Sequence, residues 1–407
     1  MKRSATFLVL VTIIGTAFSF PAFSAVKVGA SCSKPGATSN VAGFKYTCVK
    51  VGKKFVWDKG VLIAKPTGQA SPTASVSPAP SPSASPSPSV VPVVQIPEMP
   101  TSFADLEEKY RGIPYAVWEK IQNNLNRYKS TGLKIIFVFG PTTPQRYPNE
   151  WTIDAITLGT RVLGAQKQPD EVKFVQYNKA DVTWARAEAE KYVSPFRLGN
   201  SFPDQASEKC AGADCDGAVT NIASDIGLVL VGVSNPVNRF DIQKFNGQND
   251  LHEYTHAVQG MVFKGKTQSP PPVLMPCWYS EGQPQAVSIP TIAKNADDYV
   301  RIRKGWVTDN RWLLKDYEPE TIQEFLLTSM KPPCSSTAYA MVASLGYIVM
   351  DALVAVGGID KTFDVLTGIA DGLSFEDSFK KVYGTSWSEA SMALSRAASK
   401  VYKEYRK

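Results

Sequence analysis

The chain has 407 residues, 43% of them hydrophobic and 20% charged, an ordinary balance for a globular protein and enough length for two or three domains. Its net charge of +7 does not point to nucleic acid. The surplus is local: Lys2 and Arg3 open the chain, residues 25–64 hold seven lysines against the single acid Asp58, and the remainder is near neutral.

Residues 1–24 read as a signal peptide. A positive start at Lys2 and Arg3 is followed by an apolar run and then by Ala22-Phe23-Ser24, the small-x-small pattern of a cleavage site. A retained membrane anchor is the competing reading, but the run is shorter than the ~20 residues a bilayer demands. Removal of this segment would leave a secreted or cell-surface protein.

Residues 25–64 form a small basic unit. Phe44-Lys45-Tyr46-Thr47-Cys48-Val49 roughly alternates apolar and polar side chains, as a half-buried strand does, and Phe55-Val56-Trp57 begins a second strand after Gly52-Lys53. So short a unit buries little core, and a Cys32–Cys48 bridge would contribute roughly 3 kcal/mol in the chain-entropy account. The unit resembles small two-cysteine, lysine-rich modules of exported actinobacterial proteins. Its charge suits an anionic cell wall or membrane surface as partner rather than nucleic acid. Residues 65–100 are a Pro/Ser/Ala-rich linker of extended, polyproline-like character, reaching up to ~100 Å at ~3.1 Å per residue.

Residues 101–407 are expected to form one α+β domain. Helix is predicted between 103 and 128 with an interruption near Gly112 and Pro114, and strands at 133–139, 172–177 and 226–233, with a helix at 184–192 between the last two. The part beyond 250 is predicted mostly helical, including 338–356, 359–369, 374–383 and 386–402. Six cysteines fit an oxidising compartment. Their simplest pairing is Cys32–Cys48, Cys210–Cys215 and Cys277–Cys334, one of 15 possible connectivities.

The chemistry concentrates in His252-Glu253-Tyr254-Thr255-His256, which uses the only two histidines of the chain. On a helix, histidines four apart stack on one face and can offer a nitrogen each to one metal ion. Glu253 then projects beside that ion, where it can act as a general base. Leu251, Tyr254, Val258 and Met261 recur at helical spacing, and Asn249 or Asp250, or Asn246 one turn earlier, would cap the helix. Glu281 lies 25 residues past His256, beyond a proline-rich loop, and is placed to supply a carboxylate from the start of the next helix. Two histidines and a glutamate with an open fourth position is a catalytic zinc arrangement.

The run from His252 to Gln259, followed by Trp278-Tyr279-Ser280-Glu281-Gly282, resembles the gluzincin-type (MA-like) zinc metallopeptidases. Tyr339 and Gly346 in a long helix, Phe375-Glu376-Asp377-Ser378-Phe379 and Tyr383-Gly384 resemble the helical part that follows the zinc site there. The resemblance implies a zinc-dependent hydrolase of peptide bonds, with His252, His256 and Glu281 as ligands, Glu253 as base and a peptide or protein as substrate. It makes Tyr339 the candidate oxyanion donor, with Tyr347 competing. Strand 226–233 is a candidate edge for an extended substrate, or else an ordinary buried strand. One departure stands out: members often carry a carboxylate four residues after the ligand glutamate, orienting a ligand histidine, and here that place is Gln285. An uncharged amide can accept the same hydrogen bond but gives less basicity. The alternative function is a wall-associated binding protein that keeps the fold with weak or no turnover.

Overall fold

The computed structural model describes residues 31–32, 34–41, 44–51, 54–58, 61–62, 96–197, 201–234, 246–310, 314–329 and 339–405. The signal-like segment 1–24, most of the linker and Cys334 lie outside them. The chain divides into two compact units, 1–90 and 91–407.

In the first unit, β1 (Thr38–Val41) and β3 (Lys54–Trp57) flank β2 (Phe44–Val51), all antiparallel, and β4 (Val61–Leu62) also pairs with β2. The Cys32–Cys48 disulfide is formed, and Cys48 is 2% exposed, so the bridge occupies the position a larger domain would fill with core side chains.

The second unit is α+β. Its sheet has the order β5 (Lys134–Phe139), β6 (Glu171–Tyr177), β8 (Ile226–Gly232), β7 (Ala218–Ala223). The first three strands are parallel and β7 is antiparallel to β8. On β6, Val172 and Phe174 face one hydrophobic cluster while Val175 and Tyr177 face another; on β8, Val229 and Val231 alternate with Leu228 and Leu230 in the same way. Strands covered on both faces read as apolar runs; β8 does so without a break, whereas β6 is interrupted by Lys173 and Gln176. One face is covered by α3 (Val182–Glu190) and α4 (Ser201–Glu208), and the disulfide Cys210–Cys215 lies in that cluster.

The other face carries the larger core and the histidine helix. There α2 (Asn149–Val162), α5 (Gln248–Phe263) and α6 (Cys277–Ile292) pack together, with α1 (Ile113–Arg127) and the buried helix α9 (Tyr339–Gly357) behind them. The remaining helices are α7 (Ala296–Asn310), α8 (Pro319–Glu324), α10 (Ile359–Ala370), α11 (Phe375–Tyr383) and α12 (Trp387–Tyr405). Cys277 is disulfide-bonded. Among the described residues no helix is long and apolar enough to cross a membrane.

Two expectations are corrected. Strand 226–233 is not an edge: β6 and β7 cover it on either side, and the exposed rim of the sheet next to α5 belongs to β7. And Asp250 does not cap α5. The helix starts at Gln248, whose backbone N–H is received by the Asn246 side chain at 3.0 Å, and Asp250 is buried in an ion pair with Arg146.

Candidate metal centre

Helix α5 is held against the sheet by close approaches that only small residues permit. A Cβ on Gly227 of β8 would come within 2.8 Å of the Ala257 Cβ, so a larger residue at Gly227 would push the helix away from the strand. With that face fixed, His252 and His256 turn toward α6, and Glu281 in the second turn of α6 meets them.

The three side chains converge. The Nε2 atoms of His252 and His256 are 3.1 Å apart, and an oxygen of Glu281 lies 3.4 Å from the first and 3.5 Å from the second. A metal held at ~2.0–2.1 Å by three ligands in tetrahedral array sets its ligand atoms ~3.3–3.4 Å apart, so this triangle has the dimensions of one tetrahedral face. Among the described residues, this group of histidines and carboxylate could hold a metal ion, and the two-nitrogen, one-oxygen donor set is compatible with zinc.

Supporting contacts fix the imidazole of His256. Its Nδ1 lies 2.8 Å from the Oε1 of Gln259, which accepts a hydrogen bond from it and leaves Nε2 for the metal. The amide of Gln259 in turn donates to the Ser280 carbonyl at 3.1 Å and to Gln283 Oε1 at 2.8 Å, and Gln283 donates to the Thr362 hydroxyl at 2.7 Å. A neutral chain of amides thus ties α5, α6 and α10 around the ligands. Gln285 takes no part in it: its closest hydrogen-bonding partner is Gln248 at 3.5 Å, and the buried Nδ1 of His252 has no partner among the described residues. The orienting amide is Gln259, one turn along α5, rather than Gln285. A polar residue three places after His256 on the ligand side of the helix was the sequence signal for it.

Burial alone would lower the pKa of His256, but the carboxylates of Glu281 and Glu253 outweigh it and raise the pKa to about 9. Burial likewise pushes Glu281 up, yet the two imidazoles hold it well below the usual carboxylate range.

Glu253 lies beside the triangle, 6% exposed, with its Oε2 accepting a hydrogen bond from Thr220 of β7 at 2.6 Å. Thr220 belongs to a strand absent from the sequence expectations. Residues of β7 including Ala218, Thr220 and Ile222 line a cleft of about 160 Å³ together with Glu253, His256, Glu281, Pro271 and Pro272. Tyr339 is the first residue of α9, and its side chain lies outside the described part. Tyr347 is fully buried among Tyr299, Arg303 and Asp351, away from the cleft lining.

No model of a known protein family, no curated protein and no solved structure matches this chain.

Proposed function

We propose that this chain is a zinc-dependent peptidase of the gluzincin type, acting outside the cytoplasm. The observation that carries the reading is the ligand triangle of His252, His256 and Glu281 with Glu253 beside it, opening on a cleft whose wall is an edge strand. Zinc at that triangle would supply a Lewis acid that polarises the scissile carbonyl and acidifies a water molecule.

The chain's own residues would do the rest. Among the described residues β7 is the outer strand of its sheet, and its rim offers backbone groups for an extended peptide, which would add as a further strand and bring its carbonyl over Glu253. Glu253 accepts one proton from the attacking water as the water oxygen bonds to the carbonyl carbon. It then delivers that proton to the amide nitrogen as the C–N bond breaks. Thr220, by holding one carboxylate oxygen, restricts Glu253 to the orientation in which the other can receive the proton. Tyr339 is the proposed second donor to the developing oxyanion. The disulfides fit an oxidising compartment, and the basic first unit suits attachment to an anionic wall or membrane surface.

The test compares wild type with Glu253→Gln for zinc content and for hydrolysis of casein and a library of quenched peptides. We expect near-stoichiometric zinc in both and a loss of roughly a thousandfold or more in hydrolysis for the variant. Zinc without hydrolysis of any peptide by wild type would leave a binding protein on this fold. Failure to bind zinc would overturn the reading.

A further inference from the structure

The described lining of the cleft contains one lysine and no arginine, and that residue, Lys209, has no part in the chemistry above. Lys209 follows α4 and is half-buried. The adjacent Cys210–Cys215 disulfide closes a short loop that turns the chain back on itself, and the Lys209 carbonyl accepts a hydrogen bond from Asp216 at 2.9 Å. The side chain is thereby laid along Gly217, just before β7, where a Cβ would lie 3.6 Å from its Cδ and 4.0 Å from its Nζ. Among the described residues, no hydrogen bond or ion pair engages this ammonium group. The acids in the described lining are Glu253 and Glu281, and the first is held by Thr220 and the second by the histidines. A cation on a short tether, without a partner, in the wall of a cleft is suited to receive an anionic group from whatever enters.

Its distance from the reacting centre indicates where that group would be. Thr220 marks the position of Glu253 on β7, and Gly217 lies three residues earlier on the chain, ~10 Å at the rise of an extended strand. A peptide added antiparallel to β7 runs from the Ala223 end toward the Gly217 end. The residues that pass Lys209 are then those on the C-terminal side of the cleaved bond.

We infer that Lys209 is a specificity-determining residue that selects peptides bearing a carboxylate two or three residues beyond the scissile bond, on its C-terminal side. The inference rests on the peptidase reading for the word scissile, though not for the binding preference. The carboxylate can be an acidic side chain or the C-terminus of the peptide itself.

Two arms distinguish these sources and separate failure of this inference from failure of the peptidase reading. In the first, the zinc-loaded full chain is given quenched peptides with Glu or Gln at the second and third positions after the bond, each with a free or amidated C-terminus. We expect kcat/KM to favour the carboxylate-bearing member roughly 5- to 20-fold, the ratio to fall toward 1 in Lys209→Gln and to invert in Lys209→Glu. A preference for Glu regardless of the terminus assigns the side chain, and a preference lost on amidation assigns the terminus. In the second, binding of the same peptides, fluorescently labelled, is measured to zinc-loaded Glu253→Gln protein with and without Lys209→Gln. If no peptide is cleaved by wild type but carboxylate-bearing peptides bind in a Lys209-dependent manner, the selectivity stands and the peptidase reading falls. Equal cleavage and equal binding of acidic and neutral peptides, or a preference that survives Lys209→Glu, overturns the inference.

Discussion

Gly282 of α6 and Gly346 of α9 touch backbone to backbone: a Cβ on Gly282 would lie 2.6 Å from the Gly346 carbonyl carbon, and one on Gly346 would lie 2.7 Å from the Trp278 carbonyl oxygen. Gly282 follows the ligand Glu281 directly, so this crossing sets how far α6 can retreat from α5. The position of Glu281 beside the two histidines therefore depends on a contact outside the candidate metal group.

Gly282→Ala is therefore expected to act on the metal before it acts on the fold. The methyl group has backbone, not a flexible side chain, in its way, so the helices must separate. Overpacking of this kind costs about 1–3 kcal/mol. Separation would draw Glu281 away from the histidines. Zinc affinity measured by chelator competition should fall tenfold or more, with a lowered melting temperature that excess zinc partly restores. Unchanged affinity would show that the crossing does not control the ligand.

Gln259 bridges a histidine of the triangle to the neighbouring helix. It accepts from His256 and donates to α6, so it holds both the tautomer and the ring plane of a ligand. Gln259→Leu keeps the bulk and removes both roles. Loss of such an orienting partner typically costs 10–100-fold in metal affinity. We expect that loss here, whereas Gln285→Leu should change affinity less than threefold, because Gln285 contacts Gln248 rather than an imidazole. The reverse ranking in a zinc competition assay would return the orienting role to Gln285.

The histidine pair follows a spacing that the geometry of one helix dictates, and it converges with Glu281, with Glu253 beside the three. The α+β class and the strands at 133–139, 172–177 and 226–233 were legible from their β-branched and aromatic residues, although Lys134, Lys173 and Gln176 interrupt the first two. Strand β7 was not: Ala218-Val219-Thr220-Asn221-Ile222-Ala223 faces a cleft on one side, and its short, mixed side chains carry no strong period. The wall of the cleft and the hydrogen bond from Thr220 to Glu253 were hidden with it. Asp250 looked like a helix cap because its partners, Arg146, Tyr147 and Thr152, lie about a hundred residues earlier in the chain. No local pattern announces a contact of that range.

The metal site should also respond to pH. In the metal-free protein the pKa of His256 is raised from 6.5 to about 9, so at neutral pH it holds a proton that a metal ion must displace. Apparent zinc affinity should climb about tenfold per pH unit from pH 7 toward 9 and then level off. The stability of the metal-free protein should move the other way. A raised imidazole pKa contributes stability that is fully present below about 6.5 and lost as pH rises through about 9. The gap between the melting temperatures of zinc-bound and metal-free protein should therefore widen from pH 6.5 to 9. A constant gap across that window would contradict the ion pair between His256 and Glu281.

Helix α5 is anchored at its start by a buried ion pair. Asp250, two residues before His252, is 1% exposed and receives Arg146 at 2.6 Å, the Thr152 hydroxyl at 2.5 Å and the Tyr147 hydroxyl. Arg146 is itself 6% exposed, so the pair has little solvent to fall back on. Removing one member of a buried pair strands the other, at a typical cost of about 3–5 kcal/mol. Asp250→Ala should incur that loss in chemical denaturation, whereas Arg146→Met combined with Asp250→Leu should recover a good part of it by leaving no charge behind. The two variants should differ in one further respect. The double variant regains stability but not the direction in which α5 enters the site, so its zinc affinity should stay below wild type. Full recovery of both properties would mean that the ion pair contributes bulk alone and that the orientation of His252 is set by the sheet contact at Gly227.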